Sequence, residues 1–333
     1  VPTGAVGPGE AIRIFTGAPL PKGADTVVRQ EDTESGGDGW VTLTNDRDAG
    51  KNWRRRGEDI AKGAVALARG TPLGPAQLGV LASIVHAEPL VHRAPRVAFL
   101  GSGDEIADLT ARDAILRGEK VASSNSYALD GAIRMAGAVP MDLGIAADTP
   151  ESLRTHLAAA QGADLLVTTA GVSVGEHDYV RQVFAELGGD LKVWRLRMRP
   201  GAPVGFGLLG ALPWIGLPGN PVSALVTFEL FVRPAIRKMQ GHRRPFRRTV
   251  PVTVGEPITL GPKLIHFLRA KVGEEDGRLT ARLTGPQGSG ILTSMASADA
   301  LVIVPADRPH VAPGERLPAI VLDDPVHVEE PPF

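Results

Sequence analysis

Asp164-Leu165-Leu166-Val167-Thr168-Thr169-Ala170-Gly171-Val172-Ser173-Val174-Gly175-Glu176-His177-Asp178 is the stretch that decides the fold. An apolar run of strand length empties into a Gly/Ser loop, and acidic residues then open a new amphipathic segment. Strand, glycine-rich loop and helix start, in that order, build a phosphate seat in α/β proteins. Glycines let the backbone come close to a ligand, and the helix N-terminus offers unpaired N–H groups and partial positive charge. A carboxylate at that position suits a phosphate that arrives with a divalent cation.

The alternation extends on both sides. Arg96–Leu100 reads as a strand followed by the loop Gly101-Ser102-Gly103-Asp104-Glu105; Asn125–Ala136 reads as helix and Val139–Leu143 as strand. Asp148–Ala160 is a helix with Asp148 as N-cap candidate and Glu151 three residues on, a capping-box arrangement. After the opening stretch come helix Asp178–Leu187, strands Lys192–Met198 and Pro213–Leu217, and helix Pro221–Met239. Strands alternating with helices of this length predict a doubly wound, mostly parallel sheet.

The flanks read differently. Residues 1–62 are punctuated by Pro and Gly, with strand-like runs at Ala11–Phe15, Thr26–Arg29 and Trp40–Thr44, so a small β-rich domain is expected. Residues 63–94 form a helical linker with helix Ala76–Val85, whose apolar positions are Leu78, Leu81 and Val85. The central domain spans 95–240. Beyond the arginine-rich 241–248, the runs Val250–Val254, His266–Val272, Leu279–Leu283, Ala300–Val304 and Arg316–Leu322 predict a C-terminal β-rich domain over 246–324. The fold class is thus multidomain α/β plus β. A chain that starts at Val1, already reading like the middle of a folded unit, is expected to lack the start of an N-terminal domain.

Composition limits the function. With 43% hydrophobic and 22% charged residues the chain has the make-up of a globular protein, and its 333 residues call for two or three domains. A net charge of −1 gives no pull toward nucleic acid or membrane. Zero cysteines exclude disulfides and thiolate metal sites and fit a cytoplasmic location. No apolar run approaches the roughly 20 residues of a membrane span, and no secretory leader is visible.

Ligands of open α/β sheets sit beyond the carboxyl ends of the strands. Four loops have that position: those holding Asp104 and Glu105, Asp148, Asp178, and Gly216-Leu217-Pro218-Gly219-Asn220-Pro221-Val222-Ser223. Carboxylates after three strands suit Mg²⁺, although Asp148 and Asp178 also suit plain N-caps. In Trp194–Gly201, period-two alternation puts Arg195, Arg197 and Arg199 on one strand face, where guanidiniums recognise oxyanions. Arg54-Arg55-Arg56-Gly57-Glu58-Asp59 is a second basic cluster. The histidines lack zinc spacing, and Ser173 has no neighbouring base.

These motifs resemble the molybdopterin molybdenumtransferase family, to which the C-terminal half of gephyrin also belongs. The resemblance is carried by Arg13-Ile14-Phe15-Thr16-Gly17-Ala18-Pro19, Arg54–Ile60, Gly101–Ile106, Ser123–Leu129, Gly171–Tyr179, Leu217–Ser223 and Gly285-Pro286-Gln287-Gly288-Ser289, in that order along nearly the whole chain. It implies a homodimer that takes adenylyl-molybdopterin and molybdate, with Mg²⁺, and yields molybdenum cofactor and AMP. The upstream molybdopterin adenylyltransferase is then a possible partner; nucleic acid and membrane are not.

Carried over residue by residue, the resemblance implies catalytic roles for Asp59, Glu105, Asp148 and Asp178, the last three as Mg²⁺ ligands. It implies substrate binding by Thr16, Arg54, Arg195, Arg199, Pro218, Pro221, Arg269 and Ser289, with Ser173 and Asn220 from the two rim loops. Arg195 and Arg199 stand where relatives often carry lysine, and Ala170 where a glycine is usual. A molybdopterin-binding adenylyltransferase and a catalytically idle scaffold paralogue are the alternative readings.

Overall fold

The computed structural model describes residues 4–170, 179–261 and 263–322. Ser173 and Asp178 therefore lie outside the described residues. Contacts divide the chain into two compact units, Val1–Arg69 with Pro75–Val80, and Gly70–Gly74 with Leu81–Phe333.

The first unit has little regular structure. Strands β1 (Thr33–Gly37) and β2 (Trp40–Leu43) form a hairpin whose Asp38-Gly39 turn has φ of 44° and 84°. Asp-Gly at that position is the favoured two-residue hairpin turn. The runs Ala11–Phe15 and Thr26–Arg29 do not become strands. Gly17, Pro19, Pro21 and Gly23 interrupt the chain between them, and proline withholds the N–H a ladder needs. Buried carboxylates hold the unit instead. Asp32 takes the Arg47 guanidinium, and Asp48 takes Arg29 at 3.1 Å. The Arg29 side chain, then Asn52, lowers the Asp48 pKa to about 2.

Helix α1 (Pro75–Ser83) stops two residues earlier than its pattern suggests, because Val85 turns to φ 57° and the His86 amide reaches back to the Leu81 carbonyl at 2.9 Å. Of its three expected apolar contacts only Leu81 is buried.

In the second unit the α/β part comprises β3 (Arg96–Ser102), β4 (Ile106–Ala107), α2 (Arg112–Leu116), β5 (Val121–Ala122), α3 (Ser124–Met135), β6 (Val139–Ala146), α4 (Pro150–Ala158), β7 (Leu165–Thr169) and α5 (Tyr179–Glu186). It continues with β8 (Gly189–Val193), β9 (Met198–Arg199), β10 (Gly205–Leu209), β11 (Leu212–Leu217), α6 (Pro221–Thr227) and α7 (Arg233–Met239). The sheet order is β6-β3-β7-β11-β10-β8, parallel from β6 to β11 and antiparallel through β10.

Period-two alternation sorts the core. Val97, Phe99, Leu165, Val167, Ile215 and Leu217 pack with Leu129, Ile133, Phe228 and Ile236 on one face. Ala98, Leu100, Leu166 and Trp214 pack with Leu153, Leu157, Val183 and Phe184 on the other. Helices therefore cover both faces, as expected for a doubly wound sheet. Two expected elements differ. Lys192–Met198 is not one strand: β8 ends at Val193, and only Met198 and Arg199 pair again, with a different sheet. Helix 221–239 contains a π turn, Phe228–Val232, before Pro234. Proline has no N–H for the carbonyl four residues back and its ring crowds that carbonyl, which the wider turn accommodates.

The C-terminal part holds β12 (Thr249–Val254), β13 (Ile258–Thr259), β14 (Ile265–Glu275), β15 (Arg278–Leu283), α8 (Leu292–Ala296), β16 (Ala300–Val304), β17 (His310–Val311) and β18 (Arg316–Val321). Strands β15, β12, β18, β16 and β14 pair in sequence, and β14 pairs again with β15, closing a small barrel around Val252, Leu268, Ala270, Val302 and Ala319. β9 adds to its outer strand in parallel, His266 opposite Arg199. The multidomain α/β plus β class holds.

Buried Trp214 packs on Phe184 at 4.5 Å between ring centroids and donates Nε1–H to Thr168 Oγ1 at 3.1 Å. Thr168→Val is expected to orphan that donor and cost about 1–3 kcal/mol, read as a lowered denaturation midpoint by tryptophan fluorescence.

Candidate functional site

The carboxyl ends of β3, β6, β7 and β11 share one rim, since these strands run parallel. After β3 the chain turns at Gly103, φ 139°, where a Cβ would lie 2.9 Å from the Glu105 carboxylate oxygens. Only glycine lets Glu105 fold over that turn. The loop is tied to its neighbours: Val121 N donates to Glu105 O at 2.7 Å, and Lys120 Nζ donates to Asp104 O. Asp148 N donates to Asp104 Oδ1 at 3.1 Å, and Asp104 N to Asp148 Oδ2 at 3.4 Å. The rim thus brings Asp104, Glu105 and Asp148 into adjacent loops. Asp148 is not the cap of α4; Thr149 is, accepting from Ser152 N at 3.2 Å. The shift by one residue leaves Asp148 facing Asp104.

The Pro-Gly-Asn-Pro turn closes the other side. Its Pro218 is buried, Pro221 sits at the start of α6, and the Asn220 side chain makes no cap hydrogen bond. Asn125, in the first turn of α3, donates Nδ2–H to Gly219 O at 2.7 Å, while its buried Oδ1 has no partner among the described residues. Sequence reading does not single out Asn125; the available signal is a polar side chain opening an amphipathic helix. Ala170, at the end of β7, has φ 68°, and a Cβ on Gly219 would lie 3.3 Å from its methyl. The methyl that replaces a usual glycine therefore occupies a left-handed position beside the turn.

A second cluster lies where β9 joins the barrel. Arg199, Pro200, Leu260, His266, Arg269, Gln287 and Gly288 are among the residues lining a cavity of about 340 Å³. Arg195 and Arg197 are exposed like Arg199, so the expected alternation of side chains persists although most of the segment is not a strand. Arg269 is fully buried. It donates Nε–H to Ser294 Oγ at 3.0 Å and its terminal nitrogens to the carbonyls of Gln287, Pro286 and Gly288 at 3.1–3.2 Å. Burial pushes its pKa below the usual guanidinium value. It shapes the cavity wall more than it offers donors to a guest. Ser289 stands next along the chain, and its carbonyl accepts from Val222 N at 3.1 Å, which brings the last motif to the start of α6. Burial lowers the His266 pKa, with Arg199's charge acting in the same direction.

Thr16, Arg54 and Asp59 are exposed residues of the first unit. Thr16 lies in a turn closed by Ala18 N to Phe15 O at 3.0 Å, and Arg54 beside Trp53, whose ring carries Arg55 at 5.7 Å.

For Mg²⁺ the rim donors are all oxygen, the hard set this ion takes. Among the described residues no three acidic or histidine side chains converge on one point.

The fold is that of a doubly wound α/β domain with a small barrel attached. The chain matches a probable molybdopterin binding domain over residues 98–238, the MoeA N-terminal region (domain I and II) over 1–85 and the MoeA C-terminal region (domain IV) over 251–322. It is 33% identical to the molybdopterin molybdenumtransferase of Haemophilus influenzae, over 92% of this chain and 76% of that one. Molybdopterin molybdenumtransferase 1 of Mycobacterium tuberculosis is 37% identical over 92% and 73%. The crystal structure of the molybdopterin biosynthesis moeA protein from Pyrococcus horikoshii OT3 superposes with a TM-score of 0.74 at 26% identity, over 96% and 79% of the two chains. The chain belongs to the molybdopterin molybdenumtransferase family.

Two substitutions probe the rim. Ala170→Gly is expected to relieve the left-handed alanine and stabilise by about 0.5–1 kcal/mol in chemical denaturation. Asp108, which follows β4, caps the next turn and accepts from Tyr127 OH at 2.8 Å. The Thr110 amide first, then Tyr127, lowers its pKa to about 2. A depressed carboxylate pKa contributes stability that is present above about pH 4 and lost as pH falls through about 2. Asp108→Asn should remove that acid-limb dependence in a thermal-melt series.

Proposed function

We propose that this transferase carries out molybdenum insertion: molybdenum passes from molybdate to adenylyl-molybdopterin, giving molybdenum cofactor and AMP. The observation that carries the reading is the 340 Å³ cavity walled by Arg199, His266 and the carbonyl-anchored Arg269, beside the loop that contacts α6. Molybdate is a compact dianion, and a guanidinium matches its oxygens as a forked donor. Arg199 is the donor available there, with Arg195 exposed upstream to raise the local anion concentration.

The rim is the place for the nucleotide end of the pterin substrate. Backbone amides of the 171–178 loop, with Ser173, suit the pyrophosphate, and the rigid Pro218–Pro221 turn with Asn125 Oδ1 suits a polar donor such as a pterin N–H. Mg²⁺, when bound, would be held by Glu105, Asp148 and Asp178 and would neutralise pyrophosphate charge. The chain's part is positioning: two anions that repel in water are held at fixed separation by cations and dipoles, so the dithiolene sulfurs meet the metal oxyanion as AMP leaves. The sulfurs belong to the substrate, which is why a chain with no cysteine suits the reaction.

Thr16, Arg54 and Asp59 complete the reading as contributions of the first unit in a homodimer supplied by the upstream adenylyltransferase. A cytoplasmic location accords with the absence of cysteine; among the described residues no helix is long and apolar enough to cross a membrane.

The test is turnover at limiting molybdate. Arg199→Ala should raise the molybdate KM about 10- to 100-fold with a smaller loss at saturation, the worth of one charge-assisted hydrogen bond. Arg199→Lys should recover much of it. An unchanged KM in Arg199→Ala would sink the assignment of the cavity to molybdate.

A further inference from the structure

The crossover from α7 into the barrel carries a charge cluster that molybdenum insertion does not use. Glu229, Arg233 and Arg237 recur every four residues along 221–239, and Glu229 lies within the π turn. π turns are frequent where a helix serves a ligand. Arg247, from the crossover, takes both oxygens of Glu229, Nε to Oε2 at 2.5 Å and Nη2 to Oε1 at 3.2 Å, and donates Nη1–H to Leu322 O at 2.5 Å. Arg233 is left with its Nε 3.8 Å from Glu229 Oε2, outside hydrogen-bond range. Its side chain is only 16% exposed, and its Nη1 is buried with no hydrogen-bond partner among the described residues.

Arg237 Nη2 lies 3.4 Å from His242 Nδ1. Burial, then the charges of Arg237 and Arg233, pushes the His242 pKa down. Arg233 and Arg247 thus share one carboxylate, and burial, then the charges of Arg247 and Arg237, disfavours the charge on Arg233. A buried cation without a hydrogen-bond partner is costly, and such groups are normally paired. The exposed Arg243, Arg244 and Arg248 border the cluster and reinforce its attraction for anions.

We propose that Arg233, Arg237 and Arg247 form a second anion site, built for a tetrahedral dianion of the phosphate class, with Arg233 Nη1 as its central donor. The anion supplies the partner that Glu229 cannot, and it cross-links the π turn to the strand entering the barrel. Its residues differ from those of the Arg199 cavity. The same chemistry is offered by a phosphate ester and by the molybdate ion itself.

Thermal unfolding of the whole chain at constant ionic strength tests it, with inorganic phosphate or molybdate replacing chloride at about 10 mM. For a millimolar Kd, phosphate should raise Tm by about 3 °C. Arg233→Gln should abolish that rise, Arg237→Gln should diminish it, and Arg199→Ala should keep it. A larger Arg233-dependent rise with molybdate than with phosphate assigns the site to the metal oxyanion, and the reverse to a phosphate ester. No rise in the unaltered chain, or an equal rise in Arg233→Gln, overturns the proposal. So does a rise that emerges only when Asp323→Asn and Asp324→Asn are combined, because the chain's own carboxylates would then be the partner.

Discussion

A buried guanidinium organises the site end of the second unit. Arg269 lies inside the barrel wall, and among the described residues no carboxylate pairs with it. Taking a cation out of water costs several kcal/mol, and here three backbone carbonyls and a serine hydroxyl offset it. Those carbonyls belong to consecutive residues, Pro286 to Gly288, so satisfying the charge fixes the path of the loop. Gln287 closes the arrangement by accepting from the Arg269 amide and donating to its carbonyl. The path then carries Ser289 to the amide of Val222, one of the orphan donors of a helix N-terminus. One desolvated charge in the barrel thereby helps set the start of α6, on which the Pro-Gly-Asn-Pro turn and Asn125 depend.

The α/β sheet provides the other half of that geometry by an ordinary route. Strands buried on both faces alternate their side chains between two helical layers, which leaves the strand ends as the only places where polar loops can gather. The Asp104 and Asp148 loops meet there, each donating a backbone N–H to the other's carboxylate.

Legibility from sequence followed the strength of the local signal. Arg96–Leu100, the Leu165 run and Ala300–Val304 were readable because fully buried strands are unbroken apolar runs with Gly or Asp at their ends. The first unit was less so: its strand-like runs are held by Asp32 and Asp48 bonded to arginines 15 and 19 residues away, pairings no periodicity announces. The barrel's β12–β15 and β14–β16 pairings are likewise non-local. At the site, acidic rim loops were legible because chain order places them after strands. The split of Arg195, Arg197 and Arg199 from a single strand was not, since what decides it is the barrel's offer of an edge to β9 alone. Asn125 escaped because an unpartnered oxygen is a property of packing, not of residue type.

Arg269 and Arg233 show how little residue type says by itself. Both are arginines whose charged form is disfavoured by desolvation. Arg269 sits among carbonyls that the fold aims at it, and its role is to hold a loop. Arg233 sits beside a carboxylate whose two oxygens are both taken by Arg247, and one of its nitrogens has no acceptor among the described residues. In the first case the backbone has adapted to the cation; in the second, the π turn beside Pro234 sets the helix, and the cation must wait for an acceptor from elsewhere. A guanidinium supplied with internal acceptors is scaffold, whereas one buried without them is half of a binding interaction whose other half is an anion.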